Sequence, residues 1–139
     1  MSGYLLDTNV VSETMRRVPH SQVITFLTGH DDLWLSTIVL HELEYGTRLM
    51  EQGLRRSGLQ ATLASFTTAY KDRILPLDRT AAEWAAQFRA QSQRSGRVLE
   101  LGDALIAGTA KANGLCVATR NITDFQHLNI DVTNPWVAP

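Results

Sequence analysis

The chain has little of what marks export, membrane insertion or bulk nucleic-acid binding. Its single cysteine, Cys116, excludes an intrachain disulfide and makes a reducing compartment the natural setting. Cys116 lies in the apolar run GLCVAT, where a buried strand position is expected. Long apolar runs are missing, so no membrane-spanning segment is expected, and the opening MSGYLLD has no basic run ahead of an apolar stretch. The expectation is a cytoplasmic protein with no membrane partner. Charge of one sign is also lacking: 13 Lys plus Arg against 14 Asp plus Glu leave a net charge of -1. Bulk electrostatics therefore cannot hold a polyanion, and any such ligand must meet a local basic patch. No low-complexity segment or internal repeat interrupts the 139 residues, which are read as one domain, 1–139, long enough to bury a core.

What is present is an alternation of short apolar runs and helical stretches. Tyr4-Leu5-Leu6 reads as a first buried strand, followed by a short helix over residues 8–15 that Pro19 stops. A helix over 21–28 closes at Gly29, and Leu33-Trp34-Leu35 is a second strand. Ser36 or Thr37 caps a long helix reaching Met50, the first arm of a helical hairpin whose second arm spans 54–70. Residues 74–77 form a third strand whose proline favours a sheet edge. Thr80 and Glu83 have the spacing of a capping box, opening a helix that buries Trp84 and Phe88 and closes at Gly96. Gly102-Asp103 opens another helix through Ala112, closed at Asn113-Gly114; residues 115–118 are a fourth strand and 130–132 a weak fifth. Strands separated by helices imply a three-layer α/β/α sandwich around a short, mainly parallel sheet, with ligands bound beyond the carboxyl ends of its strands.

Four acids sit at the ends of these segments: Asp7 in YLLDTN, Glu42 in TIVLHELEYG, Asp103 in LGDALIAGTA and Asp124 in ATRNITDF. Projected at the α-helical angle, Glu42 falls between Ile38 and Tyr45, beside Leu49, in the apolar stripe, whereas Glu44 and Arg48 lie opposite as a solvated pair. A buried carboxylate must be protonated, paired with a cation or bound to a metal. Asp7, Asp103 and Asp124 each have a blander reading as helix caps or turn residues. Four independent caps, however, have no reason to map onto one edge of one sheet. No lysine or arginine stands beside Asp7, Glu42 or Asp103, although Arg120 is near Asp124. Oxygen donors favour Mg²⁺ or Mn²⁺ over zinc, and His20, His30, His41 and His127 lack zinc-motif spacing.

Other acid-bearing folds fit less well. A haloacid dehalogenase-type phosphatase needs a second acid two positions after the first, where Asn9 stands, and a phospho-receiver domain needs a lysine after a late strand, which the segment after Ala118 lacks.

With LLDTNVVSE, HELEYG, GDALIAGTA, ATRNITDF and a tail in NPW in this order, the chain resembles the PIN-domain family along essentially its whole length. Within it, the chain resembles the VapC-like toxins of bacterial toxin-antitoxin pairs, including the FitB-like branch. The resemblance implies a metal-dependent endoribonuclease in which Asp7, Glu42, Asp103 and Asp124 are the acidic positions and Mg²⁺ or Mn²⁺ the cofactor. Thr8, Asn9, Thr119 and Asn121 match polar neighbours that orient those acids. Glu100, close ahead of Asp103, is a departure, read as a solvated loop residue or an outer group of the site. RNA contacts are expected from scattered arginines, chiefly Arg16, Arg17 and Arg120, with Arg55, Arg56, Arg94 and Arg97 as further candidates. The alternative is a non-catalytic PIN-shaped module binding RNA or protein, against which the full set of four acids argues. The resemblance also implies a homodimer, for which the apolar hairpin over 38–70 and the Trp136 tail offer surfaces. A cognate antitoxin is expected to block the acidic cleft with a basic side chain on its tail.

Overall fold

The apolar triplet Tyr4–Leu6 (β1) is the middle strand of a five-stranded parallel sheet. The computed structural model describes residues 3–139. β1 pairs on one side with Leu33–Ser36 (β2), Leu5 opposite Trp34, and on the other with Cys116–Ala118 (β4), Leu5 opposite Val117. Ile74–Leu75 (β3) and Val132–Thr133 (β5) close the two edges, giving the order β3-β2-β1-β4-β5. Leu5, Leu6, Leu35, Val117 and Ala118 are fully buried, as expected for strands covered on both faces by helices. The winding reverses between β1 and β4, and the crevice beyond their carboxyl ends is where such sheets bind ligands. Asp7 follows β1 there, and Thr119 follows β4.

Most helices start where a side chain accepts a free backbone N–H. Thr8–Thr14 (α1) is capped by Asp7, Ser21–Thr28 (α2) by His20, and Thr37–Leu49 (α3) by Ser36. Leu54–Ala69 (α4) completes the expected hairpin and leads through a single 3-10 turn into β3. Arg79–Arg94 (α5) is capped by Asp78, whose carboxylate accepts from Ala81 N at 2.9 Å. The capping box expected at Thr80 is therefore displaced: Thr80 lies inside the first turn, and Glu83 pairs with Arg79 at 3.2 Å on the solvent side. Leu101–Asn113 (α6) starts one residue before the expected Gly102 and ends at Gly114, where φ of +64° suits glycine. Ile122–Phe125 (α7) is one short turn after β4.

α6 is an interior helix, with Ala104, Ile106, Ala107, Gly108, Thr109 and Ala110 all buried. Its small residues allow a close crossing with α5, where a Cβ on Gly108 would lie 2.3 Å from the Ala81 carbonyl. Phe88 and Phe125 fill the core beside it, each burial stabilising by roughly 2–3 kcal/mol. The outer strands are shorter than expected. β3 stops before Pro76, which cannot donate to a ladder, and β5 is shifted to 132–133 by the register Val117 opposite Val132. Among the described residues no helix is long and apolar enough to cross a membrane.

Candidate active site

Asp7 leaves the sheet as an extended residue, its N–H donating to the Ala118 carbonyl at 2.9 Å, and turns its carboxylate into the crevice. One oxygen, Oδ1, accepts from Thr8 N at 2.8 Å, the capping bond of α1; the other, Oδ2, accepts from Thr119 Oγ1 at 2.7 Å. Capping and site membership thus coincide. Thr119 is fully buried, and its hydroxyl oxygen also accepts from Asn9 Nδ2 at 3.3 Å and Asn121 N at 3.0 Å. The four polar neighbours of the sequence reading meet here, with Thr8 serving a second acid: its hydroxyl donates to Glu42 Oε1 at 2.6 Å. Glu42 Oε2 faces the start of α6, 3.2 Å from where a Cβ on Gly102 would stand.

Glu42 does not sit in the middle of a buried stripe. The face of α3 that packs inward is Ile38, Val39, Leu43 and Thr47, while Tyr45 and Leu49 are 59% and 69% exposed. Glu42 is half-buried at the boundary, which lets it reach the cleft. Glu44 is bonded to Arg48 at 2.8 Å, as its opposite face required.

Asp103 occupies the first turn of α6 without capping it; the cap position belongs to the exposed Glu100, whose side chain makes no capping bond. Burial pushes the Asp103 carboxyl up to about 6, and the negative charges of Asp7, Asp124, Glu42 and Glu100 push in the same direction. Asp7 is raised above its ordinary value as well, by burial against the lowering pull of its two hydrogen bonds. Asp124 is exposed on α7 and acts on Asp7 and Asp103 through space. None of the four carries a salt bridge among the described residues.

Asp7, Glu42 and Asp103 line one cleft of about 490 Å³ together with Thr8, Asn9, Asn121, Arg16, Arg120 and Trp136. Three segments far apart in sequence thus converge at the carboxyl end of the sheet. Residues 4–130 match the profile of the PIN domain. The chain belongs to the PIN domain family. It is 37% identical over 135 residues to a protein of Sinorhizobium fredii named VapC ribonuclease Y4jK, covering 95% of this chain and 96% of that one. It is equally similar, 37% over 135 residues, to Toxin FitB of Neisseria gonorrhoeae, at 95% and 97% coverage. Among solved structures, FitAB bound to an IR36 DNA fragment superposes with a TM-score of 0.91 at 34% identity, covering 98% of this chain and 97% of the other.

The donor set of this PIN domain suits a hard divalent cation. It is all oxygen, Asp103 makes no side-chain hydrogen bond among the described residues, and burial raises the pKa of both Asp7 and Asp103, which a cation would counter. Among the described residues no three acidic or imidazole groups already close in as a metal shell. Carboxylates about 4 Å apart repel by roughly 4 kcal/mol at an effective dielectric near 20, a cost that a bound cation would offset.

Of the candidate arginines, Arg16 and Arg120 reach the cleft, whereas Arg17 and Arg55 line an adjoining groove of about 870 Å³ between α1, α3 and α4. Arg94 and Arg97 line shallow hollows along α5 and its end, away from the acids. Two cleft residues escaped the sequence reading. Glu13 is 4% exposed, accepts from His20 N at 2.8 Å and pairs with Arg16 at 3.3 Å, contacts that hold its carboxyl below the ordinary range. Asn9, Ser12, Glu13 and Arg16 recur at helical spacing, a polar stripe on α1 that was the available signal. Trp136, read as an assembly surface, lines the cleft instead.

Proposed function

We propose that this PIN domain is a metal-dependent endoribonuclease, the toxin of a two-component toxin-antitoxin pair. The observation that carries the reading is the convergence of Asp7, Glu42 and Asp103 on one cleft, with no salt bridge to any of them among the described residues. The ribonuclease and toxin names of its relatives support it.

Asp7 and Asp103 would hold Mg²⁺ or Mn²⁺, with Asp124 and Glu42 contributing from the rim. The ion, when bound, lowers the pKa of a water and offsets the charge that a phosphodiester develops during in-line attack. Asp7 is held in position by Thr8 N and the Thr119 hydroxyl, so its orientation is set before substrate arrives. Glu42 has Oε1 occupied by Thr8, leaving Oε2 to accept a hydrogen bond from the attacking water. Arg120, together with Arg16 beside its Glu13 partner, lines the cleft wall and would bring an RNA phosphate toward Asp7, Glu42 and Asp103.

An antitoxin tail placing a basic side chain among the carboxylates would substitute for the cation and block the cleft. Tyr45, Leu49 and Leu54, the last 94% exposed, support a second chain covering the α3–α4 hairpin, and a homodimer is the assembly proposed. Light scattering that finds only monomer at micromolar concentration would remove that part. The activity is tested by incubating the purified chain with structured and unstructured RNA in Mn²⁺, in Mg²⁺ and in EDTA. Internal cleavage that requires the metal is expected, and cleavage undiminished by EDTA would overturn the reading.

A further inference from the structure

We propose that His127, bonded to the buried Ser92 of α5, is the positioning residue that holds Asp124 toward the cation site. The proposal rests on the metal-dependent reading of that site and names a residue that acts through one of its acids. Asp124 belongs to α7, four residues long, and a helix of one turn does not hold its shape by its own hydrogen bonds. Those bonds are local: Asp124 N donates to the Asn121 carbonyl at 3.1 Å and Leu128 N to that of Phe125 at 2.9 Å. Phe125 and Leu128 bury one side of the turn, but apolar burial is non-directional and leaves its rotation open. Two directional ties bracket it. At its start Asn121 N donates to Thr119 Oγ1 at 3.0 Å, joining the turn to the Asp7 network, and at its end His127 Nε2 lies 2.9 Å from Ser92 Oγ. Asp124 stands between the two.

Ser92 is where polarity enters an otherwise apolar stripe, since the buried positions of α5 are Ala81, Ala85, Phe88 and Ser92. A hydroxyl at a fully buried position costs stability unless it is bonded, and its side-chain partner is His127. The imidazole is equally committed. Its Nδ1 is buried with no hydrogen-bond partner among the described residues, which an unprotonated nitrogen tolerates better than an N–H. Nε2 therefore carries the proton and donates to Ser92 Oγ. Burial, with Arg97 nearby, lowers the pKa of the ring against the opposing pull of Asp124, which keeps it neutral. An alanine facing an apolar ring would fill the same space with no polar group to satisfy; what the pair adds is one fixed direction.

The test uses the full chain, Mn²⁺ calorimetry and cleavage of a short unstructured RNA, comparing Ser92→Ala, His127→Phe and His127→Gln, each also in an Asp124→Asn background. Ser92→Ala and His127→Phe keep most of the packing and delete the bond; each should weaken Mn²⁺ binding and lower kcat about tenfold, with KM for RNA near wild type. His127→Gln, whose amide N–H reaches toward Ser92, should recover most of both. In the Asp124→Asn background none of the three should cause a further loss, which separates action through Asp124 from a general loss of structure. Wild-type Mn²⁺ affinity in Ser92→Ala, or the same further loss with Asp124→Asn as without it, would overturn the proposal. Hydrogen exchange in EDTA gives a second decision that needs no metal. Ser92→Ala should speed exchange over 122–128 several-fold and leave β1 and β4 unchanged, whereas unchanged exchange over 122–128, or an equal increase throughout the chain, refutes the proposal. Should the wild type bind no Mn²⁺ and cleave no RNA, the reading of the site fails instead, and the exchange comparison still decides whether this bond holds Asp124 in place.

Discussion

Thr119 Oγ1 donates to Asp7 Oδ2 at 2.7 Å, joining residues 112 positions apart in sequence through neighbouring strands of one sheet. The bond favours the charged carboxylate, opposing the burial that favours its acid form. Thr119→Val keeps the shape and deletes the hydroxyl. It should lower Mn²⁺ affinity about tenfold, the usual effect of losing an outer partner of a metal ligand. The acid limb of the pH–rate profile should move to higher pH, because Asp7 then ionises later. Isothermal titration at pH 7.5 and a pH series of initial rates check both.

Gly102 stands where any side chain would press on Glu42. A methyl group there lies 3.2 Å from Glu42 Oε2, the far end of a flexible chain, so the backbone is spared and the carboxylate is displaced. Gly102→Ala should therefore change thermal stability by less than about 1 kcal/mol while reducing kcat at least several-fold. A large loss of stability with normal kcat in the surviving fraction would contradict this.

The acids make the metal-free protein sensitive to pH in a defined direction. Asp103 titrates near 6 when folded and near 3.8 when unfolded, so between those values the folded form binds more protons. Stability in EDTA therefore declines as pH rises from about 4 to 6 and is level above, as far as this group contributes. Asp7 acts in the same sense. Asp103→Asn should remove its share of the decline and melt about 3 °C higher than wild type at pH 7.5 in EDTA. Melting scans of both proteins at pH 4 and 7.5 provide the check; a variant less stable than wild type at the higher pH contradicts the assigned cost of burying the Asp103 charge beside other acids.

The start of α5 separates what the sequence disclosed from what it did not. Thr80 with Glu83 has the spacing of a capping box, yet Asp78 is the cap, because the chain leaving Pro76 stays extended until Asp78 and its carboxylate reaches Ala81 N. Spacing alone cannot tell which of two nearby oxygen-bearing side chains takes the free N–H. Asp78→Ala should cost about 1 kcal/mol of stability and Thr80→Ala much less, as urea unfolding would show.

The same limit recurs in the site. Asp7, Glu42 and Asp103 were legible because acids at the ends of apolar segments are costly unless grouped, and the alternation of strand and helix set the layers. The inward face of α3 was misjudged, since Tyr45 and Leu49 look like core in a helical projection but are 59% and 69% exposed, the packed face being Ile38, Val39, Leu43 and Thr47. Trp136 was legible only as an apolar residue in a tail. Its place at the cleft follows from β5 pairing with β4, a contact between short segments that periodicity does not encode.

The central claim is that Asp7 and Asp103 form one cation site on which RNA cleavage depends. Mn²⁺ binding by calorimetry, run beside RNA cleavage for wild type, Asp7→Asn and Asp103→Asn, tests it most directly. The expected result is micromolar-to-millimolar binding by wild type, lost together with cleavage in both variants. Variants that still bind Mn²⁺ as wild type does and cleave at an unchanged rate would contradict the account.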